Sequence, residues 1–208
     1  MNIELMLALF AVALALGLRP WRAVGTGGPP WPWLAWWALM PLLWSADRIV
    51  QIPVVQPLSG ACLLMLMAGW PLTVLALVPV ALVSAWVGGL GADLALQKLV
   101  WLGIVPATLV MGLGAGLRRW LPNHLFVYIF GRGFFASALA MTAAGLLAGW
   151  RHGGPVGTSS DDLFVARWLA GWGDAVLTGM LVAIFVAFRP QWLATYSDRL
   201  YLPGPPPR

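Results

Sequence analysis

Residues 171–192, GWGDAVLTGMLVAIFVAFRPQW, form a helix-length apolar run with one carboxylate, Asp174, near its head and a stop at Arg189-Pro190. Spanning a bilayer takes about 20 apolar residues, and this run has the length and character to do so. An acid inside such a segment must be accounted for. On insertion scales a charged side chain at mid-bilayer costs at least about 2.5–3.5 kcal/mol, so it needs a partner, a wet cavity or a task.

The rest of the chain has the same character. Apolar residues make up 61% of the 208 and charged residues 9%, which leaves too little polar surface to coat a water-soluble globule of this size. The composition therefore indicates an integral membrane protein. Lysine and arginine number 12 against 7 acids, a net charge of +5. These cations lie between apolar runs and read as topology signals, not as a nucleic-acid surface. A single cysteine, Cys62, excludes an intrachain disulfide and a cysteine-cluster metal site. The first segment places Glu4 before its apolar run and Arg19 and Arg22 after it. That charge order is the reverse of a signal peptide, so a retained first helix is expected.

Candidate spans are 3–18, 31–46, 57–70, 72–92, 99–117, 124–149 and 163–188. The second and third are short and bounded by Pro29, Pro30, Pro32, Pro53 and Pro57, so each is expected to be bent or partly re-entrant. The fold class is an all-α polytopic membrane protein, a bundle of six to seven transmembrane helices. Residues 1–202 form a single transmembrane domain, and 203–208 form a proline-rich cytoplasmic tail. With the N-terminus outside, Arg19, Arg22, Arg118, Arg119, Arg189, Arg199 and Arg208 fall on the cytoplasmic side. Arg48, Lys98 and Arg151 fall outside, and the bias favours seven helices with the C-terminus inside. The tryptophans, among them 31–37 (WPWLAWW), Trp70, Trp101, Trp120, Trp150, Trp168 and Trp192, lie mostly near span ends and read as interfacial anchors. Residues 151–162 read as a polar, glycine-rich outer loop.

Asp174 and Arg132 are the charges placed deepest, and Asp93, Lys98 and Arg167 lie nearer span ends. Arg167 shares a helix face with Asp174, but a rise of about 10 Å separates them, so a partner on another helix suits Asp174 better. Arg132 stands between Gly131 and Gly133, which let a second backbone approach, and an Arg132–Asp174 pair is the expected arrangement. That pair either lines a substrate path or locks two helices. Asp93, Lys98, Gln56 and Gln97 are weaker site candidates. Gly112, Gly114 and Gly116, and Gly171, Gly173 and Gly179, suit close helix crossings. His124 and His152 are too far apart in sequence to suggest a metal pattern, and each reads as an interfacial polar residue. No Walker motif, phosphate loop or nucleophile with its base occurs, so no enzyme activity and no cofactor are expected. Any transport must draw its energy from a partner or a gradient.

The stretch 173–202, GDAVLTGMLVAIFVAFRPQWLATYSDRLYL, resembles the end of the CbiM/NikM family, the substrate-binding permease components of energy-coupling-factor ABC transporters for cobalt and nickel. In that family a helix of the form Gly-Glu-x-x-x-Thr-Gly runs through apolar residues to Arg-Pro; here Asp174 stands at the glutamate position. Residues 121–141 resemble the family's sixth span, and 57–77 the segment whose histidine or asparagine approaches the metal. Together the three stretches cover about a third of the chain. The resemblance implies an inner-membrane component of the cobalt/nickel class that works with a separate coupling transmembrane subunit and ATPase subunits, and with no nucleic acid.

This chain departs from the family at the metal. Cobalt and nickel members begin Met-His-Ile-Pro, whereas this one begins Met1-Asn2-Ile3-Glu4. No histidine lies in 57–77, where Pro57 stands at roughly the expected place, and Lys98 stands near an expected asparagine. Transition metals favour imidazole or thiolate, so no metal ligand is assigned in this chain. Two alternatives stay open: a diverged member that binds another small substrate, and a non-transporting membrane scaffold or assembly protein.

Overall fold

The structure, a computed structural model, describes residues 3–23, 29–49, 55–154 and 159–202. The tail at 203–208 and the start at Met1-Asn2, where the chain departs from the family pattern, lie outside the described residues, as do Pro53 and 155–158 of the loop expected over 151–162. Among the described residues seven helices carry the fold: α1 (Ile3–Gly17), α2 (Trp31–Trp44), α3 (Ala61–Ala68), α4 (Trp70–Gly88), α5 (Ala92–Trp120), α6 (Val127–His152) and α7 (Ser160–Phe188). No strand occurs among the described residues.

The helices α4 to α7 are long and apolar enough to cross a membrane. Six or seven full spans are expected from the sequence, but α1 has 15 residues, α2 has 14 and α3 only eight. At 1.5 Å per residue α3 is about 12 Å long, less than half of a bilayer's hydrocarbon thickness. Glycines set its limits. Gly60 precedes it with φ 69°, and Gly69 follows with φ 80°, both at positive φ where a side chain is disfavoured. Gly69 thus breaks what the sequence presents as one apolar run, and α4 starts at the next residue with Pro71 in its first turn.

Side chains are arranged for an apolar surrounding. On α1 the small residues Ala8, Ala11 and Ala15 are buried, while Leu9 is 61% and Phe10 69% exposed. A helix that turns small residues to its neighbours and large apolar ones outward suits lipid, since close packing and not hydrophobic burial holds such bundles together. The half-length α3 occupies the centre: Cys62, Leu63, Leu66 and Met67 are wholly buried, and α2, α4, α5 and α7 pack around it.

Two helices depart locally from α geometry. In α5 the stretch Lys98–Ile104 is a π-helix, as is Val127–Phe135 in α6. Pro106 follows the first and has no N–H to offer the Leu102 carbonyl four residues back. That carbonyl accepts instead from Ser59 Oγ at 2.5 Å. Between α6 and α7 the expected glycine crossings form: a Cβ on Gly133 would lie 3.6 Å from Gly179 Cα, and one on Gly171 3.1 Å from the Ala138 carbonyl. At the head of α7, Ser159 caps the helix by accepting from Asp162 N at 3.1 Å, with Asp161 and Asp162 in the first turn. The loop expected over 151–162 is accordingly shorter, because α6 runs to His152 and α7 begins at Ser160.

Several tryptophans hold helices together instead of anchoring span ends. The indole N–H of Trp36 donates to the Gly60 carbonyl (2.9 Å), Trp37 to Ala76 (2.8 Å), Trp44 to Ser59 (2.8 Å) and Trp33 to Trp192 (2.7 Å). Trp70 donates to Thr108 Oγ1 at 2.9 Å. Away from water an indole N–H needs an acceptor, and carbonyls beside proline and glycine breaks provide them. Trp86, Trp120 and Trp150 remain highly exposed, as the anchor reading expects.

Candidate functional site

Asp174 is the middle residue of α7 and is 1% exposed. Among the described residues its carboxylate meets no cation. It accepts from Ser59 N at 2.8 Å and from Gly60 N at 3.3 Å, the two amides at the head of α3. Gly60 N is one of the orphan donors of the helix start and Ser59 N lies one residue before it, and the helix dipole favours a negative charge there. An αL glycine makes the turn: a Cβ on Gly60 would lie 2.9 Å from the Trp36 ring. Ser59 closes the knot by donating to Leu102 O and accepting from Ala61 N at 3.0 Å.

The other end of α3 is capped as well. Its carbonyls at Leu66 and Met67 accept from Thr195 N (3.3 Å) and Ala194 N (2.9 Å), while Gly69 N donates back to Met65 O at 2.9 Å. Thr195 Oγ1 adds a bond to Leu66 O at 2.9 Å and lies 2.8 Å from the Tyr128 hydroxyl. Residues 193–201 therefore fold back under the bundle, with Leu193 and Tyr201 buried. A polypeptide break at membrane depth is tolerated only when its backbone groups find such partners inside the protein.

Arg132 belongs to this lower end, which overturns the expected Arg132–Asp174 pair. Its Nη1 donates to Thr195 O (3.3 Å) and to the Tyr201 hydroxyl (3.2 Å), and the guanidinium lies 5.4 Å from the Tyr128 ring centroid. The cause is axial offset. Gly133 packs against Gly179 and Val182, five and eight residues beyond Asp174, so Arg132 sits about two turns below the acid. Gly114 makes room for the guanidinium: a Cβ there would come 2.7 Å from Arg132 Nε. Of the 112–116 glycines, then, Gly114 accommodates an arginine instead of a helix backbone.

Three of the weaker candidates converge at the opposite end. A cavity of about 270 Å³ is lined by Gln56, Gln97 and Lys98, together with Asp47, Arg48 and Arg167. Lys98 Nζ donates to the Trp44 carbonyl that ends α2, and to Asp47 Oδ1 at 3.2 Å. Gln56 Nε2 donates to Met141 O at 3.4 Å, while its Oε1 is buried without a partner, as is the Trp101 indole nitrogen. The Arg167 side chain lies across Gly149, where any Cβ would crowd it, and a Cβ on Gly145 would crowd Gln56 Oε1. Cations outnumber acids in this lining three to one, an arrangement suited to an anionic or zwitterionic group.

Asp93 lies elsewhere, exposed, beside a second cavity of about 230 Å³ that it shares with Glu4, Gln97, Arg151 and His152. Glu4 is 5% exposed and pairs with His152 Nε2 at 2.9 Å. That pair joins the head of α1 to the final turn of α6, and the charge order around α1 alone gave no sign of it. His124 caps its own helix start by accepting from Phe126 N at 3.2 Å. Among the described residues no three histidine, cysteine, aspartate or glutamate side chains gather into a metal-binding group.

Sequence reasoning found Asp174 and Arg132 but missed Ser59, Gly60 and Thr195. The first two leave a trace, because Ser-Gly directly before an apolar run is a helix-start signal. Thr195 leaves none. No protein-family model matches the sequence, and no curated protein or solved structure matches it either.

Proposed function

We propose that this chain is the membrane permease or substrate-binding component of an energy-coupling-factor type transporter of the transition-metal (cobalt/nickel) class, placed in the cell inner membrane. The observation that carries the transport reading is the broken helix: α3 stops within the bundle, its head held by a carboxylate from the middle of α7. Discontinuous helices near the bilayer midplane are a common way to build substrate sites in transporters, because they leave backbone dipoles and polar groups at a depth where little else is polar. The metal class rests on the resemblance alone, chiefly that of 173–202 with 57–77 and 121–141 beside it.

In this reading the chain passes the membrane seven times. The third passage combines the segment before Gly60 with the half-helix α3, and the N-terminus faces outward. No nucleotide-binding loop is present in the sequence, so energy comes from a separate coupling subunit and ATPase subunits. One observation favours a second reading, a small anionic or zwitterionic substrate: Arg48, Lys98 and Arg167 face a single acid, Asp47, around the upper cavity.

Two measurements separate them. Cells expressing the chain with its coupling and ATPase subunits are assayed for cobalt and nickel uptake, and the purified protein is titrated with both metals. The proposal expects energy-dependent uptake by the assembled transporter. For the isolated protein it expects weak metal binding, since the described residues offer no imidazole or thiolate cluster. Absence of uptake above the empty-vector level overturns the metal class. A tight stoichiometric isotherm would show that the ligand set has been misjudged.

A further inference from the structure

We infer that the cavity at the lower end of the bundle binds a phosphate group carrying net negative charge. This cavity, about 510 Å³, is lined by Arg118, Arg119 and Arg132 with Met65, Trp70 and Thr195, and among the described residues no carboxylate lines it. Arg118 and Arg119 lie in the last turn of α5, away from the packed interior, and would by themselves be ordinary topology residues. Arg132 is different. Its residue is 6% exposed, its Nη1 meets only neutral oxygens at 3.2–3.3 Å, and its Nε has no partner.

A guanidinium stays charged at any working pH, and burying it without a counter-ion is costly. The acids held inside the protein are engaged elsewhere: Asp174 is two turns up α7, Asp47 is bound to Lys98, and Glu4 to His152. The cavity over Arg132 is open and carries two more arginines at its rim, so an external anion completes the charge balance. Arginine presents paired donors that match phosphate oxygens. The apolar walls at Met65 and Trp70 suit a group that brings carbon with it. Basic pockets between spanning helices at the membrane surface take acidic headgroups for these reasons. A headgroup phosphodiester and a free phosphate share this chemistry, and neither requires the chain to be a transporter.

The test uses the full chain in detergent. Its melting temperature is followed while phosphatidylglycerol, phosphatidylcholine or inorganic phosphate is added, with chloride at matched ionic strength as the control. The proposal expects saturable stabilisation by phosphatidylglycerol or by phosphate, and none by phosphatidylcholine, whose cation cancels its charge. Replacing both rim residues, Arg118→Gln with Arg119→Gln, should weaken the effect roughly tenfold or more while the protein stays folded, because both lie outside the packed interior. Gly114→Ala, which crowds Arg132 Nε, should weaken it with the rim intact. A response to phosphatidylglycerol alone identifies a lipid as the source, and an equal response to inorganic phosphate identifies a soluble one. No response to either, or a response that the double variant keeps in full, overturns the site.

Discussion

Asp174 reaches two main-chain amides, and this decides which of its properties matter. The two bonds use the two carboxylate oxygens, one each, so a carboxamide keeps one acceptor and turns its NH2 toward the other amide, whereas leucine places no acceptor at all. We expect Asp174→Asn to cost about 1–3 kcal/mol for the one amide left unpaired, partly offset by the relief of a buried charge. Asp174→Leu leaves two buried donors unpaired and should cost at least about 2 kcal/mol, at about 1–3 kcal/mol for each. Thermal stability in detergent is the measurement. An asparagine variant as unstable as the leucine one would mean that the charge itself has a partner. Adding Arg132→Gln should change stability additively to within about 0.5 kcal/mol, because the two side chains lie about two turns apart and share no hydrogen-bond partner. The need of each charge for a partner was legible in the sequence; the identity of the partner was not. Main-chain amides do not show in a sequence as candidate partners, and the offset between α6 and α7 arises from where Gly133 meets Gly179.

At the scale of the element, α3 is a short helix that depends on others for both of its ends. The prolines and the length of 57–70 marked it as irregular, and the structure makes it an eight-residue helix framed by Gly60 and Gly69. What could not be read was which break matters. Apolar residues occupy every position of α3, so no periodicity separates a half-helix from a span. Gly60 is the sensitive point: its φ of 69° opposes any side chain, and so does the Trp36 ring, 2.9 Å from where a methyl group would sit. We expect Gly60→Ala to lower stability by about 1–3 kcal/mol from the backbone conformation alone, and by more once Trp36 is displaced. Gly69, at φ 80° and ψ 160°, lies in a region kept in practice for glycine, so Gly69→Ala has the larger backbone penalty but meets open space. The steric part at Gly60 is therefore read by repeating Gly60→Ala in a Trp36→Ala background, where the loss should shrink. An unchanged loss would mean that Trp36 moves aside without cost.

Apart from Asp174, the charges named above gather at two ends of the bundle, and many large apolar side chains face outward. The composition made the membrane setting legible, and the exposed leucines and phenylalanine of α1 repeat it in three dimensions. The number of crossings was less legible, because hydropathy reports apolar length and not whether a run is one helix or two. Orientation follows from the ends. Arg118 and Arg119 close α5 beside the 193–201 segment that caps α3, whereas Arg48, Lys98 and Arg151 gather at the opposite end. The arginine excess of the sequence predicts that the first end faces the cytoplasm. Single cysteines at Arg119 and Ser160 test this, since both residues lie outside the packed interior and the native Cys62, at 0% exposure, adds no background. In intact cells a membrane-impermeant maleimide should label position 160 and spare 119 until the membrane is opened. Labelling of 119 in intact cells would invert the molecule. The triple-arginine cavity would then face the exterior, and the upper cavity with Gln56, Lys98 and Arg167 would open toward the cytoplasm, the wrong side for a component that captures its substrate from outside.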